Sequence, residues 1–326
     1  MAREMMYGEA IAAAIAEEME RDSSVVFYGQ NLAMTERDPL LRRFGKKRVR
    51  IAPISETAEM GVGVGAAITG LRPIVELWMS EFMLVAFDEV INEAPRLRYM
   101  SGGQVKVPLV FKAGYGFAAG WAGQHSNCVY HAMMGIPGLK IALPSTAADA
   151  KGLMAAAVRD DNPVVYLHHY MLTLDKGAVP DGEHVVPFGV ADVKRAGSDV
   201  TIVATGWMVK KSLAAAELLA KEGISAEVVD PRTLTPLDVE TILKSVEKTG
   251  RLVLVDQATR HASAAAIIAA EIAEHRGNAL KAPVKMVTAL DTPIPFSEPL
   301  ENYVLPNEAK IVAAVKSVLA KQLAAV

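Results

Sequence analysis

The first half of the chain alternates between helical and strand-like hydrophobic patterns. Tyr7, Ile11, Ile15 and Met19 recur at helical spacing with acidic residues between them, and the short apolar run that follows ends at Gly29. The alternation continues as far as "NPVVYL" and predicts helices through "ETAEMGVGVG", around "FMLVAFDEVINEAPRLRYM", after Gln124 and over "AADAKGLMAAAVR". Continuous β-branched strands between helices indicate a mostly parallel sheet that is covered on both faces.

The second half repeats this organisation after a break. Between Leu172 and Gly189 the chain becomes rich in Gly, Pro and charged residues, which is typical of a linker. A second series of strands and helices then runs from "DVTIVATG" to "PVKMVT". We therefore predict an α/β fold with two domains, 1–172 and 189–326, joined by a linker over 173–188. Each domain is expected to be a mostly parallel sheet flanked by helices.

Composition narrows the classes of partner. A chain of 326 residues with 51% hydrophobic content can fill two cores. The net charge of −3 and the scattered Lys and Arg residues give no nucleic-acid surface. Cys128 is the single cysteine, so no internal disulfide can form. Acidic residues occupy the stretch where a signal peptide needs an apolar run, and no apolar run reaches the ~18 residues that span a bilayer. We expect a cytoplasmic protein with no membrane partner.

Three alternating glycines follow an acidic residue in "ISETAEMGVGVGAAITG" and allow two interpretations. Gly61, Gly63 and Ala66 have the GxGxxA spacing of a dinucleotide-binding turn. That turn requires its first glycine directly after a strand, whereas "ISETAEM" precedes Gly61 here. The alternative is that the glycines lie inside a helix, at a cost of roughly 1 kcal/mol each that close packing must offset. The pattern alone leaves Glu56 unexplained.

Six stretches, taken together and in order, cover nearly the whole chain and carry a family resemblance. They are "PISETAEMGVGVGAAITGLRPIVE", "FDEVINEAPRLRYMSGGQVKVPLVF", "AGQHSNC", "PGLKIALPSTAADAKGLMAAAVRDDNPVVYL", "VVDPRTLTPLDVETI" and "DTPIPFSEPLE". The chain resembles the β subunit of the thiamine-diphosphate-dependent 2-oxo acid dehydrogenases, of the pyruvate, branched-chain and acetoin type, within the transketolase-like superfamily. The resemblance implies a pyrimidine-binding domain followed by a transketolase C-terminal domain.

The resemblance also implies partners. In this family the diphosphate and Mg²⁺ are held by GDG followed by Asn, a motif of the separate α subunit, and this sequence contains no GDG. We therefore expect an α₂β₂ assembly that shares thiamine diphosphate with the α subunit, acts on a 2-oxo acid or an acyloin, and can use a lipoyl acyltransferase.

The resemblance assigns the chemistry to a few residues. Glu56 matches the glutamate that hydrogen-bonds the aminopyrimidine ring and helps it remove a proton from the thiazolium; we expect it to be buried beside an apolar helix. The alternative for Glu56 is a helix N-terminal acid that interacts with the helix dipole. Phe82 and Trp78 match aromatic or apolar positions against the same ring, with plain core packing as the alternative. His125 matches a histidine that faces the substrate, although a lone histidine is more often structural.

A loop in "VRDDNP" suggests an alkali-metal site. Asp160 and Asn162 match a loop that coordinates K⁺ in some relatives, together with the backbone carbonyls of Leu109, Ala157 and Val158. The alternative is a helix-ending turn whose Asp and Asn bind their own backbone.

Other positions depart from the family or compete with it. Relatives carry an acidic residue where this chain has Gln30, and an acidic run where it has "HHYM", which puts the pyruvate assignment in doubt. His168 and His169 are consecutive on a predicted strand, so they should point to opposite faces and form a poor chelating pair. Two other functions stay open: a split transketolase or carboligase subunit with an aldehyde acceptor, and a scaffolding subunit whose site has decayed.

Overall fold

A computed structural model describes residues 2–30, 39–117 and 119–320. The chain divides into two compact units, one formed by Met1–Tyr115 with Met133–Phe188, and the other by Gly116–Ala132 with Gly189–Val326. Both are α/β units, as the hydrophobic pattern predicts. The division assigns the "AGQHSNC" segment to the second unit.

The first unit is built on a parallel sheet. Its elements are β1 (Ala2–Met6), α1 (Tyr7–Arg21), β2 (Val25–Gly29), α2 (Pro39–Phe44), β3 (Val49–Ile51), α3 (Glu56–Ile68), β4 (Arg72–Met79), α4 (Ala94–Met100), β5 (Val110–Tyr115), β6 (Lys140–Ala142), α5 (Ala147–Arg159), β7 (Val164–His169) and β8 (Lys176–Pro180). The strand order within this unit is β6-β7-β5-β4-β2-β3, with every pair parallel. Strands β1 and β8 form a separate antiparallel pair.

Helices cover both faces of this sheet. Val75 on β4 faces α3, where it lies against Gly63. Its neighbour Glu76 lines a cavity of about 180 Å³ with Ile11 and Ile15 of α1. Because successive strand residues point to opposite faces, α3 and α1 lie on opposite sides of the sheet. The predicted apolar stripe of α1 is confirmed, since its members are buried.

The second unit carries a sheet with one reversed edge strand. Its elements are β9 (Asp192–Arg195), β10 (Val200–Ala204), α6 (Trp207–Ala220), β11 (Ala226–Asp230), β12 (Thr233–Thr235), α7 (Val239–Thr249), β13 (Leu252–Thr259), α8 (Ala264–Arg276), β14 (Lys285–Ala289), α9 (Glu298–Val304) and α10 (Glu308–Ala320). The order is β14-β13-β10-β11-β9, and only β9 runs antiparallel to its neighbour. Buried Val203, Leu254, Ile242 and Ile268 form the core between this sheet and helices α7 and α8.

Two predicted helices are wrong in form. The long helix expected around "FMLVAFDEVINEAPRLRYM" is instead a 3₁₀ turn (Ser80–Leu84), a π-helical turn (Asp88–Glu93) and then α4. Pro95 sits in the first turn of α4, where it needs no N–H donor; further inside a helix its ring would clash with the preceding turn. The π-helical turn runs directly into α4 at Ala94, so the helical backbone changes form just before this proline and is not broken there.

The helix predicted after Gln124 does not form. Ala122 has a left-handed backbone (φ 59°), and the segment holds only a 3₁₀ turn, Val129–Ala132. Asn127 donates its side-chain amide to the carbonyl of Gly123 at 2.8 Å, while the N–H of Gly116 donates to the carbonyl of Asn127 at 2.9 Å. These local bonds satisfy the backbone in a looped form and compete with a helix.

Three contacts attach this looped segment to the rest of the second unit. Phe117 stacks on Trp207 with ring centroids 5.8 Å apart. The N–H of Gly120 donates to buried Glu301 at 2.8 Å. The hydroxyl of Tyr130 donates to buried Asp256.

Across the described part of the chain, no helix combines the length and apolar character needed to cross a bilayer.

Candidate active site

Glu56 is the first residue of α3, which begins at the carboxyl edge of the first unit's sheet. Strand β3 ends at Ile51, and Ser55 is the N-cap residue of the helix. Open parallel sheets bind ligands at this edge, where helix N-termini also point. Glu56 is half-buried rather than buried, so the expected burial is not reached within this chain.

The buried carboxyl of this helix is Glu59, one turn after Glu56, and the sequence analysis missed it. Its side chain has 0% exposure. Its Oε1 accepts from the side-chain amide of Gln30 at 2.7 Å and from the N–H of Ser55 at 3.1 Å. Burial raises the pKa of Glu59, and the neighbouring charge of Glu56 adds to the effect. Glu59 belongs to the inward stripe of α3, with Met60, Gly63, Val64 and Ala67, and that spacing is the signal that could have identified it.

Gln30 directly follows the last residue of β2, at the same edge of the sheet. It is buried, and its backbone N–H donates to the carbonyl of Glu76 at 3.2 Å. Gln30, which stands where relatives carry an acidic residue, is therefore in direct contact with Glu59. Residues 31 and 32, which complete the "GQNL" turn, lie outside the described residues.

The two predicted aromatic residues lie on the segment that follows β4. Trp78 is 46% exposed at a bulge in the β4–β5 pairing, and its carbonyl accepts from the hydroxyl of Tyr170 at 3.0 Å. Phe82 is half-buried in the 3₁₀ turn. The hydroxyl of Thr57 donates to the carbonyl of Val85 at 3.0 Å, so this segment is joined to the start of α3. The structure thus brings the start of α3 and the aromatic segment together.

His125 lies in the looped segment of the second unit, whereas the other predicted site residues belong to the first unit. Its N–H donates to the carbonyl of Ala122 at 3.4 Å, and its side chain is half-buried. The next residue, Ser126, is buried, and its hydroxyl has no hydrogen-bond partner among the described residues. The catalytic role of His125 stays a prediction.

The three glycines lie inside α3, so they do not form a dinucleotide-binding turn after a strand. A Cβ at Gly63 would lie 2.6 Å from Val75 and 3.2 Å from Leu109, which confirms close packing there. Cβ atoms at Gly61 and Gly65 would meet nothing closer than 3.9 Å among the described residues. Only one of the three glycines is therefore required by packing within this unit.

The paired histidines do not chelate together. His169 is buried, its ring meets Tyr115 edge-on at 5.0 Å, and its Nδ1 accepts from the N–H of Met171 at 3.1 Å. His168 instead lines the cavity beside α1, with Glu76 and Lys112. Over the described ranges, no group of three His, Cys, Asp or Glu side chains is placed to hold a metal ion.

The groups named for potassium already have protein partners. The carboxylate of Asp160 pairs with Lys140 and accepts from the N–H and side-chain amide of Asn162, both at 2.9 Å. The carbonyl of Val158 accepts from Arg72 at 3.0 Å. The carbonyl of Ala157 accepts from the N–H of Asp160 at 3.3 Å, and that of Leu109 from the N–H of Val164 at 2.9 Å. Asp160 and Asn162 thus bond groups of their own helix-ending turn, as in the alternative interpretation. Binding of K⁺ stays a prediction.

Comparisons with known proteins agree with the resemblance. Residues 3–173 match the family model of the transketolase pyrimidine binding domain, and residues 189–311 that of the transketolase C-terminal domain. Among solved structures, the chain is similar to one titled "Split gene transketolase, inactive beta4 tetramer", with a TM-score of 0.81 and 25% identity over 98% of this chain and 99% of the other.

Curated relatives are more similar in sequence. The β subunit of acetoin:2,6-dichlorophenolindophenol oxidoreductase from Cupriavidus necator is 44% identical over 98% of both chains. The β subunit of the pyruvate dehydrogenase E1 component from Rickettsia felis is 42% identical over 95% of this chain and 97% of its own. The 2-oxoisovalerate dehydrogenase β subunit of Bacillus subtilis is 42% identical over 96% and 98%. The chain therefore belongs to the family of 2-oxo acid and acetoin dehydrogenase β subunits, within the transketolase-like superfamily.

Proposed function

We propose that this chain is the β subunit of a heteromeric thiamine-diphosphate enzyme that decarboxylates a 2-oxo acid, or cleaves an acyloin, and passes the acyl group to a lipoyl domain. The observation that carries the proposal is Glu56, a half-buried carboxyl at the N-terminus of α3, beside the aromatic segment with Trp78 and Phe82. The relatives named as acetoin, pyruvate and 2-oxoisovalerate enzymes support the same substrate class.

The residues at this edge fit the aminopyrimidine end of the cofactor. A carboxyl can hydrogen-bond a ring nitrogen, and exposed or half-buried aromatic faces can pack on a flat ring. When bound, thiamine diphosphate supplies a carbanion that adds to the substrate carbonyl. Glu56 would hold and release the proton at the ring nitrogen, Phe82 and Trp78 would orient the ring, and His125 would bind the substrate carboxylate or move a proton.

An α subunit would supply the diphosphate and Mg²⁺ site through its GDG…N motif, in an α₂β₂ assembly. The first unit exposes large apolar side chains beside the start of α3, Ile54 (75%) and Val85 (62%), and further along the same helix, Val62 (54%) and Ile68 (45%). Such a cluster marks an interaction surface. We assign it to the α subunit because the relatives are named as β subunits.

The remaining parts of the proposal follow from the family. We retain 1–172 and 189–326 as the domains with 173–188 between them, although part of this linker, β8, pairs with β1 of the first unit. We also retain a cytoplasmic location and K⁺ at the Asp160 loop. Each carbonyl oxygen has a second lone pair that can bind a cation. A higher unfolding temperature in KCl than in choline chloride would support a K⁺ site, and equal unfolding temperatures would reject it.

The function is tested with the α and β chains produced together. Donors named by the relatives (acetoin, pyruvate and 2-oxoisovalerate) are offered with 2,6-dichlorophenolindophenol as the electron acceptor, and the reduction of the dye is followed. We expect one donor to be oxidised at a rate that requires both chains and thiamine diphosphate. Dye reduction by the α chain alone, or calorimetry that finds no thiamine diphosphate bound to the pair, would reject the proposal and revive the scaffolding alternative.

The acceptor of the acyl group distinguishes the dehydrogenase from the split transketolase or carboligase alternative. The identity of 44% to the acetoin enzyme against 25% to the split transketolase favours the dehydrogenase. Turnover with a lipoyl domain supports it further. Turnover with an aldehyde acceptor, and none with the dye or a lipoyl domain, would favour the alternative.

A further inference from the structure

Glu59 is a buried acid for which the fold provides no cation. Its side chain has no solvent exposure, and no Lys, Arg or His within the described ranges forms an ion pair with it. Gln30 and Ser55 both donate to Oε1, while Oε2 is buried and has no hydrogen-bond partner in the described part of the chain. An ionised carboxylate in this position would carry an uncompensated charge, and the protonated form avoids that cost.

The position of Glu59 relative to Glu56 makes this proton relevant to catalysis. The two residues are three apart on one helix, a spacing that places side chains about 5 to 6 Å apart at Cβ. At this separation the charge of Glu56 disfavours a charge on Glu59, which keeps the proton on Glu59. A pair that carries one proton can therefore exchange it without a net change in charge.

We propose that Glu59 is a positioning residue that stores the proton exchanged by Glu56, with Gln30 and Ser55 fixing one oxygen so that the other bears the proton. The inference rests on the proposed function, because it concerns the proton that Glu56 handles. The proton on Glu59 Oε2 would pass to Glu56, directly or through one water, and Glu56 would then give it to the cofactor ring. The reverse transfer would return the proton from the ring through Glu56 to Glu59, so the two carboxyls and the ring together neither gain nor lose a proton.

Other charged groups around Glu59 are few. On α3 itself the nearby acid is Glu56. Tyr28 on β2 faces Glu59. Burial raises the pKa of Tyr28, an ionised Glu59 would raise it further, and Arg50 on β3 lowers it. The π-helical turn packed on α3 begins with Asp88 and Glu89, and the side chain of Glu89 lies against Gly61. None of these forms a described ion pair with Glu59.

The test uses the assembled α/β enzyme with two variants that differ in where the acid lies. Glu59→Gln keeps the acceptor oxygen for Gln30 and Ser55 but removes the ionisable proton. The swap Gln30→Glu with Glu59→Gln places one carboxyl and one amide back in the same hydrogen-bonded pair, with their positions exchanged. Glu4→Gln, on the exposed β1 strand, is the matched control.

We expect Glu59→Gln to lower kcat about 10-fold or more, to change KM little, and to remove one ionisation from the pH profile of kcat. The swap should recover kcat to within about threefold of wild type. In infrared difference spectra at neutral pH, wild type should show the carbonyl band of a protonated carboxyl, and Glu59→Gln should lack it.

Two results would overturn the inference. One is an unchanged pH profile with no carboxyl band lost in Glu59→Gln. The other is a swap variant as impaired as Glu59→Gln with a wild-type pH profile, which indicates a purely structural role. If the wild-type pair oxidises no donor, the proposed function fails, whereas the infrared band still reports whether Glu59 carries a proton.

Discussion

Gly63 on α3 and Val75 on β4 approach so closely that a Cβ at Gly63 would lie 2.6 Å from Cγ2 of Val75. This contact fixes the distance between α3 and the sheet, and so the position of Glu56 and Glu59 at the sheet edge. We expect Gly63→Ala to lower the free energy of unfolding by about 1 to 2 kcal/mol, because overpacking exceeds the gain in helix propensity. Urea denaturation measures it.

Gly65→Ala is the matched control on the same helix. A Cβ at Gly65 meets no described atom within 4 Å, so the β chain studied alone should gain up to about 1 kcal/mol in stability. Equal losses in both variants would contradict the packing account. If the α subunit covers this face of α3, Gly65→Leu should weaken its binding, as measured by analytical ultracentrifugation.

The buried ion pair between Glu76 and Lys112 should be sensitive to the loss of one partner. Both side chains are 8% exposed and lie on neighbouring strands, β4 and β5. Lys112→Met leaves the Glu76 carboxylate buried without a cation and should cost about 3 to 5 kcal/mol. The double variant Glu76→Met with Lys112→Met should cost clearly less. A double variant at least as unstable as the single one would contradict this prediction.

His168 should make the protein sensitive to mild acid. Burial lowers the pKa of His168, and the charge of Lys112 lowers it further. In the unfolded chain the imidazole binds protons near pH 6.5, so the unfolded state takes up more protons than the folded state below that pH. Stability from this group is therefore present above about pH 6.5 and is lost as the pH falls through it. His168→Asn should flatten the dependence of the unfolding temperature on pH between about 6.5 and 4.5, whereas exposed His261→Asn should not.

The Tyr130 hydroxyl stabilises a buried acid that anchors the looped segment with His125. Burial raises the pKa of Asp256, and the hydrogen bond from Tyr130 opposes that rise. Tyr130→Phe should lower stability by about 1 to 3 kcal/mol. Since it raises the pKa of Asp256 further, the folded state retains a proton that the unfolded state loses, and the deficit should grow as the pH rises above about 4. A deficit independent of pH, or one equal to that of exposed Tyr303→Phe, would contradict this account.

Hydrophobic periodicity predicted much of the fold, because in many helices and strands the apolar side chains recur at the spacing that places them on the buried face. The helix over "AADAKGLMAAAVR" coincides with α5, and the hydroxyl of Thr146 caps it by accepting from the N–H of Asp149 at 3.1 Å. The pattern failed where backbone chemistry overrides it: before Pro95, and around Ala122 and Asn127. It also gave no sign of β8, because its two inward positions are Gly177 and Val179, and a glycine contributes no hydrophobic side chain to an alternating pattern.

The candidate site was only partly predictable for a different reason. Glu56, Phe82 and His125 were recognised as members of motifs, whereas Glu59 matters through its contact with Gln30, 29 residues earlier in the chain. No local pattern encodes such a pair before the sheet and α3 are placed together. Glu59 could nevertheless have been noticed in the sequence, because it occupies a position on the apolar, inward stripe of α3, where a carboxyl is seldom buried without a cation.

Glu56 is the residue that we propose to hold and release the proton at the cofactor ring. The most direct test compares dye reduction by the assembled α/β enzyme carrying wild-type chain, Glu56→Gln, or the exposed control Glu274→Gln. We expect Glu56→Gln to lower kcat about 10²- to 10⁴-fold while thiamine diphosphate still binds by calorimetry, and the control to keep wild-type turnover. Near-normal turnover by a Glu56→Gln enzyme that binds the cofactor would contradict the account.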